Sequence, residues 1–328
     1  MGAEQTTATG SSLVTSTFEV RVAERDDVAD GVVALEFEHP QGDDLPAWSP
    51  GAHVDVVLGQ GMLRQYSLCG DPDERKRWRI AVLRERYGRG GSAYVHDNLA
   101  SDAIVTVSEP RNHFELAPAS HYVFIAGGIG ITPILAMIRS RDVQGADWQL
   151  HYGGRTRASM AFTHELTAAF GDRVRICPQD EVGLLDLPRI LAQPDSDTLI
   201  YCCGPGPLLD AVEGRCHGWP TGSLRVERFQ PKEQAELTQY GSFEVELARS
   251  GTTVAVAAGQ SVLDAVRAAG VAVASSCEEG TCGTCEVAVL DGEVDHRDSI
   301  LSPDEQAADD AMLICVSRAR CPRLVLDL

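Results

Sequence analysis

The 328-residue chain is expected to be multidomain: an antiparallel β-barrel, a doubly wound parallel α/β domain, and a compact α+β domain. Three observations predict this. Short β-rich runs separated by turn clusters fill the first third. Apolar strands alternating with helices fill the middle. The C-terminal segment returns to short strands, with four cysteines at distinctive spacing. The length exceeds one ordinary domain, and 44% hydrophobic content suffices for several cores.

Residues 1–14 are small and polar, and predict a disordered tail. They lack the basic start and apolar stretch of a signal peptide. Residues 15–117 form the expected barrel, with strands at Phe18–Val22, Val32–Phe37, His53–Leu58, Tyr66–Leu68, Arg79–Leu83 and Ile104–Val107. Residues 118–230 form the α/β domain. The run Tyr122–Ala126 is wholly apolar, as a strand covered on both faces must be. A helix at Pro133–Arg139, a strand at Trp148–Tyr152, a helix at Phe162–Phe170 and a strand at Arg173–Cys177 follow. Leu199–Cys203 then leads into a helix from Leu208. Residues 231–239 are a polar linker, and 240–328 the last domain. Phe243–Ala248 and Thr253–Val256 suggest a hairpin, Ser261 caps a short helix, and Glu286–Leu290 and Arg323–Leu326 are further strands.

Cys277, Cys282 and Cys285 are spaced C-x4-C-x2-C, and Cys315 follows far downstream. This is the spacing by which plant-type ferredoxins hold a [2Fe–2S] cluster. Two irons need four thiolates in a small volume, so one tight loop supplies three. Gly280 and Gly283 let that loop adopt φ > 0. Zinc is the rival metal, but its usual arrangement is two C-x2-C pairs.

Arg64-Gln65-Tyr66-Ser67-Leu68 lies on a barrel strand. Alternation puts Arg64, Tyr66 and Leu68 on one face and Gln65 and Ser67 on the other. Gly90-Gly91-Ser92 precedes a helix at Ala93–Leu99, where backbone N–H groups can meet a phosphate. Together they suggest a flavin site. Gly127-Gly128-Ile129-Gly130-Ile131-Thr132-Pro133 joins a buried strand to a helix, the context of a phosphate-cradling turn. It is not G-x-G-x-x-G. Cys203-Gly204-Pro205 ends another strand, where open parallel sheets bind ligands. Arg155 and Arg157 follow a further strand and could meet a 2′-phosphate.

The chain resembles the phthalate dioxygenase reductase family, which includes vanillate demethylase reductase. The motifs are Pro50-Gly51-Ala52-His53, Arg64–Leu68, Gly90-Gly91-Ser92, Gly127–Pro133, Cys203-Gly204-Pro205, Glu227-Arg228-Phe229 and the four cysteines. The resemblance implies a β-grasp ferredoxin domain at the C-terminus and FMN rather than FAD. By it, Arg64 pairs with the flavin phosphate, held also by Gly91 and Ser92. Tyr66 and Ser67 line the isoalloxazine, Thr132 reaches it from the neighbouring domain, and Phe229 covers one face. Cys203 guides the hydride-donating carbon, making Ser67, Cys203 and Phe229 the expected catalytic group. The loop carrying Arg155 lies near the adenosine end, and NADH is favoured over NADPH.

A nicotinamide yields two electrons together and a cluster takes one, so a flavin must convert between them. The expected activity is NADH-dependent oxidoreduction through FMN and a [2Fe–2S] cluster to an oxygenase component, Rieske-type or a cytochrome P450. A diaphorase or a redox sensor are the rivals. A net charge of −20 argues against nucleic acid and anionic membrane. From Tyr240 onward six Arg face fifteen Asp and Glu, and Glu278 and Glu279 are expected to present the cluster to a partner. A cytoplasmic monomer with unpaired Cys69, Cys177, Cys202, Cys203, Cys216 and Cys321 is expected, with Cys202 serving packing alone.

Overall fold

The computed structural model describes residues 16–232 and 241–328. Within them, 17–232 form one compact unit and 241–328 a second. The expected tail and residues 233–239 of the expected linker lie outside the described residues.

The first unit opens with β1 (Thr17–Ala29), β2 (Val32–Glu38), β3 (His53–Leu58), β4 (Met62–Ser67), β5 (Trp78–Leu83) and β6 (Ile104–Ser108), with α1 (Gly91–Asn98) before β6. The strands form an antiparallel sheet in the order β4-β3-β6-β1-β2-β5. Val20, Leu35, Phe37, Val54, Trp78 and Ile80 fill its core. β1 runs well past the expected Phe18–Val22. The polar stretch Glu24–Asp27 conceals the continuation, which pairs with β2 across two register irregularities.

The same unit continues with β7 (His121–Gly127), α2 (Ile131–Val143), β8 (Asp147–Gly154), α3 (Thr163–Phe170) and β9 (Val174–Pro178). Short α4 (Gln179–Val182) and α5 (Leu187–Ile190) precede β10 (Thr198–Cys203), α6 (Gly206–Arg215) and β11 (Leu224–Glu227). The sheet is wholly parallel, ordered β11-β10-β7-β8-β9. Alternation along its central strands feeds two cores. Tyr122, Phe124, Tyr201 and Cys203 pack on one face, and Val123, Ile125, Ile200 and Cys202 on the other. Cys202 is therefore a packing residue, as its neighbour's opposite orientation requires.

The connection from barrel to parallel sheet is pinned. The Tyr201 hydroxyl accepts from Ala117 N at 2.8 Å and donates to Glu115 O at 2.9 Å. The Tyr122 hydroxyl accepts from Ala119 N at 2.7 Å.

The second unit holds β12 (Phe243–Leu247), β13 (Thr252–Val256), α7 (Val262–Ala268), β14 (Glu286–Asp291), β15 (Val294–Asp295), α8 (Pro303–Ala308), β16 (Ala311–Leu313), β17 (Arg318–Ala319) and β18 (Arg323–Leu326). The main sheet runs β13-β12-β18-β14-β16, and α7 buries Val262, Leu263, Ala265 and Val266 against its core. Ser261 caps α7 by accepting from Asp264 N, as expected. All ten cysteines are unpaired, and only Cys177 and Cys321 are not buried. Among the described residues no helix is long and apolar enough to cross a membrane.

Tyr201→Phe strands the backbone groups of Ala117 and Glu115. It is expected to cost about 1–2 kcal/mol in urea unfolding without altering far-UV circular dichroism.

Candidate functional site

In the second unit the four cysteine thiols meet. Cys277 neighbours Cys282 and Cys315, and Cys285 neighbours Cys315. Backbone amides point at the sulfurs: Glu279 N and Thr281 N lie 3.3 and 3.5 Å from Cys277 Sγ, and Cys277 N lies 3.5 Å from Cys282 Sγ. Thiol neighbours and amides hold Cys277 well below the ordinary thiol range, and Cys315 does the same, more mildly, for Cys285. Four converging thiols ringed by amide donors fit a [2Fe–2S] cluster in donor chemistry. Cys315 sits in the turn after β16.

The loop's backbone explains its glycines. Gly280 and Gly283 have φ of 71° and 70°. A Cβ on Gly280 would stand 2.7 Å from the Val316 side chain and 3.1 Å from Asp298 Cα. Glu278 also adopts a left-handed φ, 55°. Its carboxylate is bound by Arg267 at 2.8 Å and by Ser275. Glu278 is thus paired with Arg267 while remaining exposed.

In the barrel, Arg64 donates to Leu63 O at 2.7 Å and Arg89 O at 2.9 Å. Its side chain fills the space a Cβ on Gly91 would need, 2.5 Å away. Gly90 has φ 84°, which turns the chain into α1. The first-turn amides of α1 therefore open beside the Arg64 guanidinium, a fit for a phosphate. Ser92 Oγ accepts from Glu85 N at 3.0 Å, which fixes this loop. Tyr66 is half-buried, and burial pushes its hydroxyl well up, against the pull of Arg64. Ser67 is buried where β4 ends. Gln65, expected among the cofactor-binding residues, is engaged within the barrel. Its amide donates to Asp55 Oδ1 at 2.8 Å, on the strand face away from Arg64 and Tyr66.

At the C-terminal ends of β7 and β10, two turns press together. A Cβ on Gly130 would lie 2.3 Å from Cys203 O, and one on Gly127 would lie 2.7 Å from Pro205 and Leu208. Gly204 meets Gly127 Cα at 3.0 Å on the same criterion. Gly128 has φ 54° and opens to free space. Thr132, buried at the start of α2, donates to Ile129 O at 3.0 Å. Phe229 is 42% exposed, just past β11.

Glu227 stands in the Glu227-Arg228-Phe229 motif, but no role for it was legible there. The end of β11 places its Oε2 4.0 Å from Cys203 Sγ. Burial pushes its carboxyl up to about 8. Burial, then Glu227, push the Cys203 thiol far up, so Cys203 stays protonated and is no nucleophile. The strand pairing Cys203↔Glu227 brings the two together, and it is not local in sequence. Of the two arginines after β8, Arg157 is held by Glu181 through two hydrogen bonds, at 3.0 and 2.7 Å. Arg155 is exposed, and its carbonyl accepts from Asp180 N at 3.2 Å.

Two outcomes follow from this geometry. Gly280→Ala forces a shift of the cysteine loop and is expected to lower iron content and visible absorbance, while flavin content stays. For Glu227 the folded-state pKa, about 8, exceeds the ordinary 4.5. Stability from this group is full below the ordinary value and falls as pH rises towards the folded value. Glu227→Gln is expected to stabilise the protein by about 1–3 kcal/mol near pH 8 and less near pH 5, by thermal unfolding at both.

Residues 245–320 match the family model of the 2Fe-2S iron-sulfur cluster binding domain. The chain is 46% identical over 302 residues to the phenoxybenzoate dioxygenase subunit beta of Ectopseudomonas oleovorans, covering 92% of this chain and 94% of that one. It is 38% identical over 314 residues to the phthalate dioxygenase reductase of Burkholderia cepacia, covering 94% and 97%. Among solved structures it matches a phthalate dioxygenase reductase described as carrying electrons from pyridine nucleotides to [2Fe-2S]. That match has a TM-score of 0.70 and 38% identity, over 95% of this chain and 98% of that one. It also matches an intact self-sufficient cytochrome P450 monooxygenase, with a TM-score of 0.90 and 46% identity, over 95% of this chain. The chain spans only 41% of that P450's length. With relatives this similar along nearly its whole length, the chain belongs to the phthalate dioxygenase reductase family.

Proposed function

We propose that this protein is the NADH-dependent reductase component of an oxygenase system. In this reading residues 15–117 hold FMN, 118–230 hold NADH and 240–328 hold a [2Fe–2S] cluster, with 231–239 as linker. The observation that carries it is a three-cysteine loop joined by Cys315, on the same chain as two glycine turns pressed together at the ends of parallel strands. Bound FMN supplies conversion between hydride and single electrons, and the cluster supplies one-electron export.

The chain's own residues bind, orient and shield. Arg64, with the amides of Gly90, Gly91 and Ser92, holds the flavin phosphate. Tyr66 offers a flat apolar face, and Ser67 a hydroxyl at its edge, with Gln65 contributing backbone only. Gly127, Gly128 and Gly130 cradle the dinucleotide phosphates. Cys203, Gly204 and Pro205 form the wall that orients the nicotinamide, and Thr132 borders both ligands. Phe229 excludes water from the flavin face. Glu227 holds a proton at its carboxyl beside Cys203 near neutral pH. Because Glu181 already neutralises Arg157, Arg155 alone remains for a 2′-phosphate, which favours NADH over NADPH.

The acceptor is a separate oxygenase of the Rieske type. The likeness to a self-sufficient P450 supports a P450 haem domain as the second reading. We place the protein in the cytoplasm as a monomer. Anaerobic titration tests the whole reading. NADH is expected to bleach the flavin first and then give the electron-paramagnetic signal of a reduced cluster, with NADPH at least about tenfold less effective. Cys277→Ser is expected to keep flavin bleaching and lose electron export to the oxygenase. Bleaching without any cluster signal in the wild type leaves a diaphorase, and no bleaching by NADH leaves a sensor.

A further inference from the structure

Glu165 lies outside every site above, yet it joins the two halves of the first unit. One carboxylate receives two guanidinium groups. Arg139, on α2, donates to Oε1, and Arg79, on β5, donates to Oε2 at 3.2 Å. Arg139 also donates to the backbone carbonyl of Cys69 at 3.3 Å. The Cys69 amide in turn donates to Arg79 O at 2.8 Å. The segment leaving Ser67 is thus gripped by the barrel through its N–H and by α2 through its C=O.

The helix geometry gives this grip a direction. Thr132 and Arg139 are seven residues apart on α2, so they share a face and stand about 10.5 Å apart along the axis. One end of that face meets the expected flavin and nicotinamide sites. The other is tied to the chain two residues past Ser67. Rotating or sliding α2 on the barrel would therefore move Thr132 and the Gly127–Gly130 turn relative to β4.

The local structure is held in a conformation that needs support. Phe162, buried just before α3, has φ 62° although it is not glycine. The Arg79 guanidinium lies 4.7 Å over its ring, while Arg79 Nε is buried without a hydrogen-bond partner. Two cations share one anion, so removing Glu165 leaves like charges facing each other at a partly buried boundary. A second tie, Asp30 N to Ala158 O at 2.8 Å, joins the β1–β2 turn to the loop after β8.

We propose that Glu165 is a positioning residue: with Arg79 and Arg139 it latches the nucleotide-binding half onto the barrel and sets the approach of nicotinamide to flavin. This rests on the NADH–flavin reading above. The latch acts on the geometry of hydride transfer and not on ligand affinity, because none of its three side chains belongs to either binding site.

The test uses the full-length holoprotein carrying Glu165→Gln or Arg139→Lys. Arg139→Lys keeps the charge, but a single ammonium cannot reproduce the guanidinium fork to Glu165 and Cys69. Rapid mixing with NADH gives the dissociation constant, the flavin reduction rate and its primary deuterium isotope effect. Hydrogen exchange of residues 68–70 and 158–162, without NADH, reads the latch independently of turnover. For Glu165→Gln the expected result is flavin reduction slowed about tenfold or more, with the NADH dissociation constant within about twofold. Exchange should accelerate in both segments together. Arg139→Lys should give the same changes, smaller, and it decides the matter should Glu165→Gln lose flavin. Reduction within about twofold of wild type, or unchanged exchange, overturns the latch. Wild-type protein that NADH cannot reduce overturns the functional reading instead, and the exchange comparison still judges the latch.

Discussion

The nucleotide half rests on one close approach, that of the Gly130 backbone to the Cys203 carbonyl. Nothing larger than hydrogen fits there. The constraint makes two separate strand–turn–helix units behave as one surface, because neither turn can move without displacing the other. It also explains why glycine, and not merely a flexible residue, is needed at positions 127 and 130. Neither has an unusual φ, so the requirement is space and not conformation. At Gly128 the opposite holds: the space is open and the backbone is left-handed.

The same distinction runs through the cysteine loop. Gly280 and Gly283 both answer to conformation, and Gly280 to crowding as well. Three cysteines within nine residues can converge only if the backbone turns back on itself, and the turning exposes amides to the sulfurs. Within this set Cys277 and Cys285 are held below the ordinary thiol range, while their neighbours Cys282 and Cys315 are pushed above it.

Features encoded within a short window were legible in the sequence. The cysteine spacing, the apolar run of β7, the Ser261 cap and the opposed faces of Cys202 and Cys203 each follow from local periodicity or motif. What was not legible depends on pairing between distant segments. β1 was cut short because alternation fails over Glu24–Asp27, where pairing with β2 alone keeps the chain extended. Glu227 acquires its raised carboxyl only because β11 lies beside β10. Arg157 looked available for a phosphate until α4 brought Glu181 against it. Glu278 was legible as an exposed acid, but not its ion pair with Arg267 on α7. In each case a charge was visible and its partner was not.

The distribution of cysteine burial has a practical corollary. Eight of the ten thiols are shielded, including all four that would hold iron, while Cys177 in the first unit and Cys321 in the second reach solvent. A maleimide dye or spin label applied to the native holoprotein would therefore attach at one place on each unit and spare the redox machinery. The wild-type chain already carries one such handle on each unit for distance spectroscopy during turnover.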